Sequence, residues 1–213
     1  MTADGVEALY PFLYATEGDL DSVLRQVAQS TIEKVAEVEA LRASVVAHDG
    51  ARMEACAAAM AASFKAGGRL LAFGNGGSST DAHDIVNLFL APHEGRPLPA
   101  LALTADVAVV TALANDVGFD VVFARQVAAW GRPGDMAFAV STSGGSENVV
   151  RGLDEAKQRG LLTVGLAGYD GGRMAEAGTV DFLFVVPSSS VHRIQEAQTT
   201  VYHLLWALTQ QVL

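Results

Sequence analysis

Cysteine is nearly absent. Cys56 stands alone, which excludes an intrachain disulfide. Its neighbours, Glu54-Ala55-Cys56-Ala57-Ala58, read as helix, where a lone cysteine serves as a small buried side chain rather than a nucleophile. Long apolar runs are missing too. None approaches the roughly 18 residues of a membrane-spanning helix, so no membrane span is expected. Met1-Thr2-Ala3-Asp4-Gly5 carries no basic region ahead of an apolar stretch, so no signal peptide is expected and the cytoplasm is the default location. Positive charge is scarce: Lys and Arg number 14 against 24 Asp and Glu, a net charge of −10. Such a chain repels a nucleic-acid backbone. It does not repel every phosphate, because helix N-termini and backbone N–H groups hold one without a basic surface. There is no internal repeat, low-complexity tract or linker.

What is present is core material. Half of the residues are hydrophobic and 18% are charged, which supports a sizeable core and argues against disorder. The first third has helical spacing. Leu20, Val23, Leu24 and Val27, then Ile32, Val35, Val38 and Leu41, recur at helical intervals, with Asp19 or Asp21 as the starting cap. A second helix is expected from Asp49 or Gly50 to Lys65, stopped by Gly67-Gly68. The two are expected as an antiparallel pair that packs on a sheet or builds an oligomer. Ahead of them, Tyr10-Pro11-Phe12-Leu13-Tyr14 is an aromatic segment that packs either on a neighbouring subunit or on its own domain.

From Arg69 the texture changes. Short apolar runs at Arg69–Phe73, Ala100–Leu103, Met136–Val140, Leu162–Leu166 and Phe182–Val186 read as buried strands. Helical stretches follow them at Thr80–Leu90, Asp106–Leu113, Glu147–Arg159, Gly172–Ala177 and Ser190–Leu213. Alternation of this kind predicts an α/β fold with a five-stranded parallel sheet sandwiched between helices. Ligands in such folds sit beyond the C-terminal strand ends, near a topological switch point.

Two loops have the right place and composition. Gly74-Asn75-Gly76-Gly77-Ser78-Ser79 joins a strand to a helix. Glycines let the backbone approach a ligand closely, and the following helix offers free N–H groups and a positive dipole end. Ser79 stands where the dinucleotide pattern needs its last glycine, and the Lys of a Walker loop is missing. A nucleotide-cofactor enzyme is therefore disfavoured. An ordinary tight turn would not need three glycines followed by paired serines. Ser141-Thr142-Ser143-Gly144-Gly145-Ser146-Glu147-Asn148 is the second loop. A helix cap needs only Ser146; the surplus hydroxyls suit the oxygens of a phosphate.

Ser141–Ser146 resembles the phosphosugar-binding loop of the sugar isomerase (SIS) domain. Several further stretches resemble the phosphoheptose isomerase branch of that superfamily. They are Gly74–Ser78, Ala114-Asn115-Asp116 with Gly118-Phe119, Phe123-Ala124-Arg125-Gln126-Val127, Gly131-Arg132-Pro133-Gly134-Asp135 and Arg193-Ile194-Gln195-Glu196. The likeness runs over about residues 50 to 213 and keeps the motif order. It implies an SIS domain over 49–213 of flavodoxin-like or Rossmann-like type. Residues 1–48 would form a helical segment of the same domain and of an oligomer interface. The assembly would be a homotetramer with shared sites, and the members' activity is conversion of sedoheptulose 7-phosphate to an aldoheptose phosphate. The phosphate- and sugar-binding residues would be Asn75, Gly76, Gly77, Ser78, Asp116, Ser141, Thr142, Ser143, Ser146 and Gln195.

The same resemblance exposes a break. Moving a proton between adjacent carbons needs a general base and an acid or metal at the enediolate oxygen. The family carries a His and, four residues later, a Glu on the helix after the first loop, with a Gln and a His on the last helix. The last pair is present as Gln195 and His203. The first pair is replaced by Asp84 and Leu88, and a leucine neither ligates metal nor takes a proton. Asp84, Gln195 and His203 remain as a three-ligand zinc set; the alternative is no metal. His83 adjoins Asp84, but neighbouring helix residues point about 100° apart. His203 and Glu196 are the candidate acid–base groups. His203 is otherwise a helix histidine with a satisfied hydrogen bond, and Glu196 otherwise an ion-pair partner of Arg193 or another cation. His192 reads as solvent-exposed, and Asp116 otherwise caps the turn before Gly118. The family also includes a non-catalytic tetrameric partner of the bacterial replication initiator. Two readings therefore stand: an aldose–ketose sugar-phosphate isomerase, and a non-catalytic phosphosugar-binding or scaffolding tetramer.

Overall fold

In a computed structural model, the structure describes Leu20–Leu213. Asp19 and the aromatic segment Tyr10–Tyr14 lie outside the described residues. A compact unit spans Leu41–Leu213, and all packing described below lies within it.

The first helix, α1, runs unbroken over Leu20–Lys65, which corrects the expected antiparallel pair. Asp49 and Gly50 do not interrupt it. A glycine inside a helix costs only about 1 kcal/mol relative to alanine. Here it is followed by Ala51, Arg52, Met53 and Glu54, all good helix formers, and no proline removes a backbone donor. Gly67, at φ +87, ends the segment as expected.

The strands are β1 (Leu70–Gly74), β2 (Ala100–Ala102), β3 (Met136–Ser141), β4 (Leu162–Gly168) and β5 (Phe182–Val186). All pairings are parallel, and the order is β2-β1-β3-β4-β5, the flavodoxin-like arrangement. The remaining helices are α2 (Gly77–Leu90), α3 (Val107–Asp116), α4 (Val122–Trp130), α5 (Glu147–Gln158), α6 (Gly172–Glu176) and α7 (Val191–Gln211).

The two-residue period of the strands sorts their side chains into two cores. Leu70 and Ala72 of β1, Phe138 and Val140 of β3, and Leu166 and Phe184 face α1, α2 and α7. Leu71, Phe73, Ala137, Ala139 and Ala167 face α4, α5 and Met174 of α6. Every residue of β1 and β3 is buried, which is why the central strands read as continuous apolar runs. The sequence reading missed α4. Its buried residues Val122, Phe123, Gln126 and Val127 nevertheless follow the i, i+1, i+4, i+5 helical spacing. α3 buries none of its ten residues, although its start, Val107-Ala108-Val109-Val110, is apolar.

Candidate functional site

The order β2-β1-β3 puts the topological switch point between β1 and β3. Chain leaving β1 crosses to one side of the sheet, and chain entering β3 has come back to the other. The two glycine–serine loops follow these two strands, so the switch point brings them together. They are joined by a reciprocal amide pair. Asn75 Nδ2 donates to Asn148 Oδ1 at 2.8 Å, and Asn148 Nδ2 donates back to Asn75 Oδ1 at 2.9 Å.

In the first loop, Gly76 takes φ +55 and stands at the N-cap of α2 without any side-chain cap. The helix starts at Gly77 rather than at Thr80, so the loop's glycine–serine end is itself the first helical turn. Three glycines lower helix propensity and hide this start from sequence. The second loop opens α5 in the same way. Ser146 is its N-cap, yet its hydroxyl does not cap the helix; it pairs with Ser141 Oγ at 3.3 Å. Two uncapped helix N-termini thus meet at one place, each with orphan N–H donors and a positive dipole end.

The second loop is braced from behind. Gly168 N donates to Thr142 O, Met174 N to Gly144 O, and Gly145 N to Ser143 Oγ. Gly144 sits at φ +62, and a Cβ there would collide with the Gly171 carbonyl. Glu147, the residue after Ser146, would set a negative charge beside any anion. Hydrogen bonds from Arg173 and Arg151 hold its carboxyl below the usual range, and Arg151 in turn pairs with Asp120 at 2.7 Å. The charge beside the loop is therefore compensated.

Gln195 of α7 reaches the first loop. A Cβ on Gly77 would meet its Nε2, so the glycine makes the room in which this amide sits. Gln195 also hydrogen-bonds Asp81, a residue that sequence reasoning missed. Asp81 is 9% exposed, and its Oδ2 has no partner. Burial pushes its carboxyl from 3.8 up to about 6, the Asp84 charge adds to this, and the Gln195 hydrogen bond opposes it. The available signal was position: Asp81 precedes the buried Ile85 and Phe89 at four-residue steps, a carboxylate on an apolar face.

Asn75 is half-buried, Ser78 is buried, and Gly76 and Gly77 are exposed at the loop surface. Ser141 is buried, Thr142 and Ser146 are half-buried, and Ser143 is exposed. Asp116 is exposed at the end of α3, where it accepts from Asn115 Nδ2 at 2.8 Å. Glu196 and His192 are exposed on α7, and the Glu196 carbonyl accepts from Arg42. His203 is exposed, with its ring stacked on Tyr202 at 5.2 Å. Asp84 is exposed on α2. Leu88 is half-buried and packs against the core, so its place offers no ligating atom. Among the described residues no three His, Cys, Asp or Glu side chains are grouped to hold a metal ion. The residues present do not make the four-ligand zinc site that the resemblance implies.

The family model described as SIS domain matches residues 35–168. A phosphoheptose isomerase of Aquifex aeolicus is 44% identical over 155 residues, 72% of this chain and 80% of that one. Another, from Solidesulfovibrio magneticus, is 42% identical over 195 residues, 91% of this chain and 92% of its own length. The chain belongs to the phosphoheptose isomerase family. Its fold agrees with that assignment. The solved phosphoheptose isomerase of Neisseria gonorrhoeae superposes with a TM-score of 0.78 at 33% identity, over 89% of this chain and all of the other. The Francisella tularensis enzyme does so at 0.70 and 32%, over 92% of this chain and all of the other. Family membership accounts for both loops. Asp84 and Leu88 stand where the resemblance implies a His and a Glu.

Proposed function

We propose that this protein is an aldose–ketose isomerase of a sugar phosphate, with sedoheptulose 7-phosphate as the first substrate to test. The observation that carries the reading is the meeting of two uncapped helix N-termini, clasped by Asn75 and Asn148, in a phosphoheptose isomerase relative. The phosphate is held by the backbone N–H groups of Gly76, Gly77 and Ser78 and by the hydroxyls of Ser141, Thr142, Ser143 and Ser146. Neutral donors at helix ends suffice for a phosphate monoester, so a net charge of −10 is no obstacle. Gln195 and Asp116 address the sugar oxygens. His203 and Glu196, both on α7, are the side chains to which proton transfer is assigned, since Leu88 cannot perform it.

A homo-oligomer, a tetramer in this reading, is supported by the surface. α3 buries nothing, and Val107, Val117, Phe119 and Trp130 are all at least half-exposed, large apolar side chains that a subunit contact would cover. Among the described residues no helix is long and apolar enough to cross a membrane, which supports a cytoplasmic location. The excess of acidic residues argues against nucleic acid as a direct partner.

The test is incubation with sedoheptulose 7-phosphate, with and without zinc, and observation of the aldose by NMR. Turnover that is lost in His203→Ala or Glu196→Ala, with binding retained, supports the reading. Binding without conversion under either condition overturns the enzyme. It leaves the reading that Leu88 favours, a non-catalytic phosphosugar-binding protein.

A further inference from the structure

α2 buries one carboxylate, and it stands beside the first loop. Asp81 follows Gly77 by four residues, one turn along the same face of the helix. It is 9% exposed, and its Oδ2 is sealed off without a partner. A buried acceptor left unmade costs stability, so packing does not account for a carboxylate at this place. The hydrogen bond that its carboxyl receives comes from Gln195 of α7. Gln195 in turn lies on the loop. A Cβ built on Gly77 would collide with its Nε2 and would lie 3.2 Å from Cδ and 3.3 Å from Oε1. Gly77 is exposed, so the whole amide sits at the surface start of α2, with Asp81 one turn along.

An amide has two ends of nearly equal size, a donor and an acceptor, and shape alone does not decide which way it turns. Here its neighbour decides. At pH 8 the Asp81 carboxyl, which burial raises to about 6, is ionised, and a carboxylate only accepts. The NH2 end of Gln195 must therefore face it. Nε2 is also the end that lies against Gly77. The carbonyl end is left over. Among the described residues no hydrogen bond reaches Gln195 Oε1, and unlike Asp81 Oδ2 it is open to solvent. An open carbonyl oxygen accepts from a hydroxyl and repels a phosphate oxygen.

We propose that Asp81 is a positioning residue that sets the Gln195 amide with its carbonyl oxygen free, and so makes Gln195 select a sugar hydroxyl over a phosphate oxygen. Asparagine at this position would keep the contact but lift the constraint. It donates as well as accepts, so either end of the Gln195 amide could then face it. The inference rests on the phosphosugar reading of the site but not on turnover.

The test uses sedoheptulose 7-phosphate and inorganic phosphate, each titrated calorimetrically into the full chain at pH 8. Asp81→Asn should weaken sugar-phosphate binding by about 3- to 10-fold, the worth of one neutral hydrogen bond, and change phosphate binding by less than twofold. Urea unfolding of the same variant at pH 8 should show no loss of stability, which separates a lost orientation from a damaged fold. Gln195→Ala should lose at least as much sugar-phosphate affinity. Asp81→Asn should add nothing to that loss in the double variant, because a residue that acts through another has no effect once the other is gone. Equal losses for both probes would overturn the proposal, as would an unchanged sugar-phosphate affinity in Asp81→Asn or a further loss in the double variant. A wild-type protein that binds inorganic phosphate but not sedoheptulose 7-phosphate would instead refute the underlying reading of the site, and the proposal with it. If Asp81→Asn does not fold, Gln195→Ala still decides: a loss for inorganic phosphate as large as that for the sugar phosphate would overturn the selectivity assigned to Gln195.

Discussion

Replacing Asp81 by Asn should stabilise the protein at neutral and alkaline pH and leave it unchanged in acid. Asp81 is 9% exposed, it faces Asp84 and Gln195, and its carboxyl is raised from 3.8 to about 6. A group whose pKa rises on folding binds its proton more tightly in the native state. Between pH 3.8 and 6 the native protein therefore holds more of that proton than the unfolded chain. Stability must fall as pH climbs through this interval and stay low above it. A rise of about two units corresponds to about 3 kcal/mol at pH 8, as an upper bound. Asparagine carries no charge to bury, keeps the shape and retains a hydrogen-bonding atom for Gln195. Asp81→Asn should therefore exceed the wild type by about 1–3 kcal/mol at pH 8, and the two curves should converge near pH 4. Urea unfolding from pH 4 to 8, without added metal or sugar phosphate, measures the difference, and the other carboxylates cancel between the two proteins. A difference that is constant with pH, or a variant less stable than wild type at pH 8, would refute the assignment of a strained charge to this site. The accompanying expectation is a functional loss. A carboxylate retained at such a cost, hydrogen-bonded to the amide at the first loop, is the kind of residue that trades stability for activity.

Gly77→Ala should weaken sugar-phosphate binding severalfold in calorimetry with little change in melting temperature, because the new Cβ meets only the end of the Gln195 side chain. Gly144→Ala should be far more damaging, by about 2–4 kcal/mol in urea unfolding. It combines φ +62 with a collision against the Gly171 backbone, and neither a residue's strain nor a backbone clash relaxes cheaply. Cys56 should resist Ellman's reagent in the native protein and react only on unfolding. Its side chain is fully buried and its thiol is pushed up to about 12, chiefly by burial, so the reactive thiolate is absent.

The parts of this protein that could be read from its sequence are those set by local pattern. The central strands are buried on both faces, so Leu70–Phe73 and Met136–Val140 carry no polar residue that could hide them. The loops after them were legible because glycines and hydroxyls in such numbers have few uses. The errors arose where a weak local signal met a stronger context. Gly50 looks like a helix boundary, but one glycine cannot break a run of good helix formers. Val122–Trp130 is short, and its polar residues Arg125 and Gln126 blur its apolar face. Asp81 and Thr104 were invisible for a different reason. Each pairs with a residue distant in sequence, Gln195 for one and Ser79 for the other, and no periodicity reports such a pair.

If the two loops hold a phosphate as proposed, two clasps explain how an acidic chain can present such a site. Asn75–Asn148 ties the loop after β1 to the loop after β3, and Ser79–Thr104–His83 ties it to the connection after β2. Three neighbouring strands therefore fix one glycine-rich loop that would otherwise be mobile. Fixing it matters because orphan N–H groups bind an anion well only when they are aimed before it arrives; a floppy loop would spend the binding energy on its own ordering. A lysine would supply charge without that rigidity, and it would hold phosphate as a point charge rather than by shape. Here the charge near the second loop is instead cancelled in pairs, Glu147 against Arg173 and Arg151. The departures at Asp84 and Leu88 lie one and two turns further along α2 from the first loop, outside both clasps. The binding half of the site can thus stay intact while its chemical half changes, and binding and turnover must be measured as separate properties of this protein.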